Sequence, residues 1–404
     1  MARANNIVAF VVFLIILCAV LAVYLLYKSN VSIVKHSRHY PNKMLIYDDY
    51  SFRDDSFVYL VCDDGDFPKC KIVQEKYPYK TIFKSCNVTP GIQKVDRASK
   101  RFIFVVAFGE DKAVLLWNDD NSKHDKPYVN ISVVHMNGCK QERTINTHLF
   151  TTEQLNNVKK ILTHDDTFVV FFKNTAECGI NGQLDRECTL RFKSDGHFDH
   201  LDKFIDNSKF NISNIHSADL TNNRYVYIKS RNGHTDLYLS NSNKTEHMLL
   251  SLSGDFKISV VNELIGVCSK IGKNTTCYQY DFKGRISLKT SLTDVHNNTE
   301  LKNIYSLPEG GFLLSYAEFG RCEEEDECYP DWLTNYFIQK IDATGKPIGK
   351  VGFIGLEKGY KVINHSYIWK AEKEGEYCAF IEPFRQSDKI DFFVNCFPIA
   401  NFDA

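Results

Sequence analysis

Apolar positions along this chain cluster in short runs, and the runs repeat. Seven stretches rich in Val, Ile, Phe and Tyr predict strands: SFVYLVC (56–62), RFIFVVAF (101–108), TFVVFFK (167–173), RYVYIKS (224–230), LIGVCSK (264–270), GFLLSYAE (311–318) and YCAFIEP (377–383). Each is followed, across a polar stretch, by a second run: CKIV (70–73), AVLLWN (113–118), CTLRFK (188–193), DLYLSN (236–241), CYQYDF (277–282), YFIQKID (336–342) and KIDFFVNC (389–396). β-branched and aromatic residues bounded by Asn, Asp and Gly read as strands joined by turns. Several second runs end in a turn signature, namely Asp281-Phe-Lys-Gly284, Asp342-Ala-Thr-Gly345 and Ser194-Asp-Gly196. Only Thr152–Leu162, TEQLNNVKKIL, has a helical pattern, about three turns long. Lys43–Tyr47 is a further short strand, expected to close the fold against 391–397.

The first strands start about 40 to 66 residues apart, near the period of propeller blades carrying some long loops. The stretch SLPEGGFLLSYAE…NYFIQKIDATGKPIG (306–349) resembles one blade of the G-G-F type repeat found in many β-propellers, and Leu264–Ser287 resembles it in part. In such repeats a Gly-Gly turn starts an inner strand and D-x-x-G closes the hairpin on the outer side. The resemblance implies an all-β propeller of six or seven blades and names no family function. A lone four-stranded sheet cannot cover both of its faces, whereas radial stacking buries them and leaves short protected edges. Tandem β-sandwiches are the alternative arrangement of the same strands.

One segment breaks the β pattern. Ile7–Tyr27 is 21 residues without a charge, long enough as a helix to cross the roughly 30 Å hydrocarbon core. It reads as a single N-terminal transmembrane signal-anchor or as a cleaved signal peptide. The anchor is favoured because the run exceeds a signal h-region and Val23–Leu26 would make a poor flank for a cut after Ala22. The expected organisation is therefore 1–27 anchor, 28–43 stalk and 44–404 propeller-like ectodomain. Flanking Lys28, Lys35 and Arg38 against Arg3 argue for a cytoplasmic C-terminal side. Cysteines and sequons argue the reverse, and they weigh more because large domains translocate regardless of a few charges.

Cys18 lies in the apolar run and twelve cysteines follow it. None forms C-x-x-C, so the common zinc and thioredoxin-like spacings are missing, and an even set suggests disulfides in an oxidising compartment. Five close pairs flank hairpins: Cys62/Cys70, Cys178/Cys188, Cys268/Cys277, Cys322/Cys328 and Cys378/Cys396. Antiparallel neighbours lie close enough for such bonds. Cys86 and Cys139 are left to pair by elimination. Eight N-x-S/T sequons, roughly twice what chance placement gives, start at Asn30, Asn87, Asn130, Asn211, Asn243, Asn274, Asn297 and Asn364. Pro90 counts against Asn87, and Asn274 is best placed, at a hairpin tip. Asn130, Asn211, Asn243, Asn274, Asn297 and Asn364 are the glycosylation sites expected.

Charge is balanced, with 49 Lys+Arg and 50 Asp+Glu, so nucleic acid is not expected as a partner. No Walker A, G-x-G-x-x-G after a strand, H-E-x-x-H or G-x-S-x-G occurs. Three polar clusters are weighed as cation sites and read as turns: Cys322-Glu-Glu-Glu-Asp-Glu-Cys328, Asp195-Gly-His197-Phe-Asp199-His200, and the Cys62–Cys70 loop with its three Asp. No catalytic residue, metal ligand or cofactor site is assigned. The expected function is a membrane-anchored surface glycoprotein that binds a protein or glycan. Asn-, Lys-, Phe- and Tyr-rich usage suggests an AT-rich genome, hence a viral envelope or parasite surface protein. A glycan-active hydrolase on the same fold and a structural surface protein without a ligand are the alternatives.

Overall fold

In the computed structural model, the described residues are the strands given below, a terminal 3-10 turn (Ile399–Phe402) and the turn residues named with them, all between His36 and Phe402. Residues 1–35 and the remaining loops, among them 64–69, 88–103, 174–186 and 321–332, lie outside them. The described chain is nearly all β and propeller-like; it contains no α-helix.

The first strand, β1 (His36–Tyr40), joins the last sheet. Sheet 1 comprises β2 (Lys43–Leu45), β3 (Ser51–Arg53), β4 (Ser56–Asp63), β5 (Cys70–Lys76) and β6 (Ile82–Asn87). Sheet 2 holds β7 (Phe104–Phe108), β8 (Lys112–Asn118), β9 (Tyr128–His135) and β10 (Lys140–Thr151). Sheet 3 holds β11 (Val158–Thr163), β12 (Thr167–Lys173), β13 (Glu187–Lys193) and β14 (Phe198–Ile205). Sheet 4 is β15 (Asn211–Asp219), β16 (Arg224–Arg231), β17 (His234–Ser240) and β18 (Glu246–Leu252). Sheet 5 is β19 (Phe256–Val261), β20 (Leu264–Ile271), β21 (Asn274–Asp281) and β22 (Ile286–Thr293). Sheet 6 is β23 (Thr299–Ser306), β24 (Phe312–Phe319), β25 (Leu333–Ile341) and β26 (Pro347–Gly352). Sheet 7 is β27 (Tyr360–Lys370), β28 (Glu376–Arg385) and β29 (Ile390–Pro398), completed by β1. Sheets 2 to 6 are antiparallel meanders in chain order; in sheet 1 both β2 and β3 pair with β4, and sheet 7 takes the borrowed strand.

Each sheet gives one face to the sheet before it and the other to the sheet after it. Val58, Leu60 and Ile72 of sheet 1 pack with Ala113, Leu115 and Val134 of sheet 2. Phe108 and Val114 of sheet 2 meet Phe168 and Phe192 of sheet 3, with the first two rings edge to face at 5.5 Å. The series runs on through sheets 3 and 4, 4 and 5, 5 and 6, and 6 and 7. A seventh cluster joins the last sheet to the first: Phe57 and Tyr59 pack among Trp369, Phe380 and Phe392. A tandem sandwich leaves one face of each sheet to solvent, so this two-sided packing rules out that alternative. Two-sided burial also explains the most apolar runs. β20 and β24 are buried along nearly their whole length, whereas the outer β22 and β26 are largely exposed.

The structure corrects several expectations. Val158–Leu162 of the expected helix belong to β11, antiparallel to β12; residues 152–157 lie outside the described residues. Ile161 is buried between sheets 2 and 3. Helix preferences of a few tenths of a kcal/mol per residue do not compete with a ladder plus core burial. The strand that pairs with the C-terminal run differs from the one expected. β1 pairs with β29 (His36 opposite Val394, Tyr40 opposite Ile390), while Lys43–Leu45 pairs with β4 in sheet 1. The expected stalk, 28–43, thus surrenders His36–Tyr40 to sheet 7. The repeat also changes phase. The hairpins read from the sequence are second and third strands in six sheets, but 101–108 and 113–118 correspond to the first two strands of sheet 2.

Candidate functional site

The turns that carry the repeat signature hold the sheets together at their outer rim. Asp342 Oδ1 accepts hydrogen bonds from the Thr344 and Lys346 amides at 2.9 and 2.8 Å, and from the Thr344 hydroxyl. Those hydrogen bonds, the Thr344 hydroxyl's first, hold the Asp342 carboxyl below its usual range. Gly345, at φ +86°, closes the turn and lies on β22, where Thr290 Oγ1 donates to its carbonyl at 2.6 Å. In sheet 5 Asp281 repeats the arrangement, accepting from the Lys283 and Arg285 amides, each at 2.9 Å. Desolvation pushes the Asp281 carboxyl up, but Arg285 and the turn amides outweigh it and the net shift is downward. Gly284 then sits against His247 and Leu249 of β18. A Cβ on Gly311, at φ +91°, would lie 2.2 Å from the Ile341 carbonyl oxygen, so the Gly-Gly turn answers a backbone contact inside sheet 6. Gln279 of sheet 5 reaches the same turn through the Leu307 and Gly311 carbonyls.

Three disulfides lie among the described residues. Cys268–Cys277 and Cys378–Cys396 each join directly opposed residues on adjacent strands. Cys86–Cys139 joins two sheets, linking β6 of sheet 1 to the turn after β9 of sheet 2. Cys62 and Cys70 stand opposite each other in register. Cys188 lies on β13, while Cys178, Cys322 and Cys328 fall outside the described residues. Asn274 is exposed at its hairpin tip, and its Oδ1 accepts from Thr293. Asn87, disfavoured from sequence by Pro90, is exposed at the end of β6. Asn130, Asn211 and Asn364 lie on β9, β15 and β27; Asn30, Asn243 and Asn297 are outside the described residues. His197 and Asp199 are exposed at the turn between β13 and β14, with Asp199 3.9 Å from the Lys193 ammonium. The acidic 322–328 segment, the interior of the Cys62–Cys70 loop and Ile7–Tyr27 are outside the described residues. Among the described residues no helix is long and apolar enough to cross a membrane, and no group of three or more His, Cys, Asp or Glu could hold a metal ion.

The site that the sequence did not disclose is a cleft of about 220 Å³ between sheets 5 and 6, lined by Lys257, Lys270, Gly272, Thr299, Glu300 and Leu301. It opens at the end of the sheets that carries the turn between second and third strands. Strand alternation aims the lysines there. On β19, Phe256 and Ile258 pack toward sheet 4, so Lys257 between them faces sheet 6. On β20, Cys268 faces sheet 6, and Lys270 two residues on does the same. The Lys270 ammonium donates to the Thr299 hydroxyl and lies 5.4 Å from the centroid of Tyr316. The Tyr316 hydroxyl in turn donates to Thr275 Oγ1 at 3.2 Å. Glu300 is paired with Lys302 at 2.7 Å. The Lys257 ammonium makes no ion pair or hydrogen bond with another described residue. Sheet 4 shows the contrast: Lys229 is paired with Glu246 and stacked 4.4 Å over Tyr238. The cleft thus holds two ammonium groups, a hydroxyl and a carboxylate that is paired with Lys302. The sequence signal was a lysine in phase with a buried cysteine, visible only once the facing strand is known.

No family model matches the chain, and no curated protein matches it. Solved structures do. A polysaccharide lyase aligns at TM-score 0.51 and 11% identity, covering 87% of this chain and 90% of its own. The WD40 domain of Toxoplasma gondii coronin aligns at TM-score 0.46 and 7% identity, covering 92% and 88%. Pyrococcus horikoshii acylaminoacyl peptidase aligns at TM-score 0.41 and 10% identity, covering 86% of this chain but 58% of the peptidase, so the chain spans little more than half of that protein's length. At such identities the likeness concerns fold alone.

Proposed function

We propose that the protein is a membrane-anchored surface glycoprotein whose seven sheets are the blades of a closed β-propeller, and that it acts as a binding and attachment module. The observation that carries this reading is the cleft, where strand geometry brings Lys257, Lys270 and Thr299 together on a disulfide-fastened scaffold. The circular order of the seven core clusters and the borrowed strand β1 support ring closure. The three disulfides support an oxidising compartment. Ile7–Tyr27 would anchor the chain, with the C-terminal side lumenal or extracellular. The ligand would be a protein or glycan on an opposing surface.

The test expresses the full chain in secretory cells. Glycosidase treatment is expected to lower its apparent mass, and intact cells are expected to expose Asn274 to surface labelling of its glycan. Cells displaying the chain should then adhere to partner cells that mock-transfected cells ignore. An unchanged mass with a cytosolic C-terminal domain would sink the ectodomain reading. Shortened oligosaccharides released from the partner surface would replace attachment by glycan hydrolysis.

A further inference from the structure

We infer that the protein rests on the bilayer through the rim of sheets 4 to 6, where Met248, Ile286 and Ile348 enter the lipid interface, so that the end with the cleft points away from the membrane. This inference rests on the anchor reading above and adds its lipid-facing surface.

The path of the chain is the first ground. Eight residues, 28–35, join Tyr27 to His36, where β1 begins. Fully extended they reach at most about 29 Å. β1 enters beside Val394 and runs toward Ile390, so the chain from the anchor arrives from the Pro398 end of β29. The sheets before it share that end. Phe402, just past Pro398, lies on Gly349 near the start of β26, Gly345 lies on Thr290 of β22, and Gly284 on His247 of β18. A bilayer at the opposite end would make the linker retrace β1, about 13 Å at 3.3 Å per residue, before it met lipid.

The surface at that end is the second ground. Met248, Ile286 and Ile348 are 52%, 57% and 41% exposed. Each stands among the first three residues of an outer strand, β18, β22 or β26. Opposite Leu237 and Tyr238, Gln279 and Tyr280, and Lys340 and Ile341, the outer strand carries one extra residue. Such a bulge bends an edge strand and re-aims its side chains. Lys283, Arg285 and Lys346, in the turns leading into β22 and β26, are exposed beside them. Apolar side chains flanked by cations suit the boundary between acyl chains and anionic headgroups. One apolar side chain per sheet does not make the continuous patch that a protein partner buries.

The opposite end is the third ground. Asn274 is exposed in the turn between the second and third strands of sheet 5, and Asn87 is exposed opposite Lys71, at the corresponding end of sheet 1. Both are sequon asparagines, and a hydrated glycan faces water rather than lipid. Asn243 falls in the connection from β17 to β18, on the rim side, and lipid there requires it to stay unglycosylated.

The test takes the full chain from secretory cells into vesicles of phosphatidylcholine and phosphatidylserine brominated near the top of the acyl chains, which quench tryptophan at the interface. Wild type, with its three tryptophans, sets the baseline. Ile286→Trp is expected to add emission that the brominated lipid cuts by about twofold or more. Ile271→Trp, at a position 58% exposed at the other end of sheet 5, should add emission that falls by less than about a tenth. Formation of the Cys268–Cys277 bond checks folding, and Ile348→Trp serves if Ile286→Trp fails that check. Peptide mapping is expected to find a glycan on Asn274 and none on Asn243. Quenching of Ile271→Trp and not of Ile286→Trp would stand the molecule the other way up and overturn the inference. Unquenched emission from both, with the chain still in the vesicles after alkaline extraction, would overturn the lipid contact and leave the anchor intact. Blue-shifted, unquenched emission from Ile286→Trp would give the rim to a second copy of the chain instead. A glycan on Asn243 would also overturn the contact. A chain that alkali extracts from the vesicles would sink the anchor reading, and this inference with it.

Discussion

Sheets 5 to 7 and sheets 1 to 2 solve one problem in different ways. In every case the loop after the third strand of a sheet, or what replaces it, rests on the outer strand of the sheet before. Gly284 does so on β18 and Gly345 on β22, each at the end of an Asp-capped turn. At the C-terminus the backbone of Phe402 takes the same place on β26, so close that a Cβ on Gly349 would lie 2.4 Å from its carbonyl oxygen. Between sheets 1 and 2 the contact is covalent, Cys139 on Cys86. The position is structural, and what fills it is negotiable. A glycine turn needs a left-handed residue and a snug neighbour; a disulfide needs only two cysteines at the right separation.

That comparison predicts an order of effects. Replacing Cys86 and Cys139 by alanine frees a loop of sequence separation 53 and is expected to cost about 4 kcal/mol, against about 3 kcal/mol for the Cys268–Cys277 pair with separation 9. Urea unfolding of the secreted-pathway product compares them; equal losses would show that the inter-sheet bond has no special leverage. Gly311→Ala adds left-handed strain to a backbone clash and should lose about 3 kcal/mol. Gly109→Ala, at φ +61° with nothing within 4 Å, should lose only about 1 kcal/mol. Similar losses at both would mean that the turn in sheet 6 relaxes freely. Thr290→Val removes the hydroxyl that binds Gly345 and should lower stability by about 1 kcal/mol. Rescue of that loss by an engineered disulfide at the same rim position would show that the two devices are interchangeable.

The smallest effect is a pH dependence. Asp281 and Asp342 have folded pKa values below those of the unfolded chain. Their contribution is therefore present above the ordinary carboxylate range, near about 4, and is lost as pH falls through the folded values. Urea midpoints for wild type should drop between pH 5 and pH 3, and Asp342→Asn should show a shallower drop. A parallel drop in the variant would place the acid sensitivity elsewhere.

Much of the β architecture was legible because the second strand of a sheet is buried on both faces. Val267 and Cys268, or Leu313 and Leu314, look to opposite neighbours and are all apolar. First and fourth strands carry weaker patterns. The outer β22 alternates but buries only Leu288 and exposes Ile286, and β11 mixes Lys159, Lys160 and Ile161, which is why its segment reads as a helix. The cleft was less legible still. Lys257 and Lys270 are ordinary lysines on their own strands, and only the arrival of Thr299 and Glu300 from sheet 6 brings them into one cleft.

By itself the sequence determined the all-β class, the turn chemistry at Asp281 and Asp342, and the pairing of Cys268 with Cys277 and Cys378 with Cys396. These rest on local periods, turn residues and short separations, which a linear chain displays. Tertiary structure alone decided which N-terminal strand completes sheet 7, that Cys86 and Cys139 tie two sheets at the rim, and that two lysines share a cleft. Each of those depends on which face meets which neighbour. A strand's period of two shows that it has two faces, but not what stands opposite them.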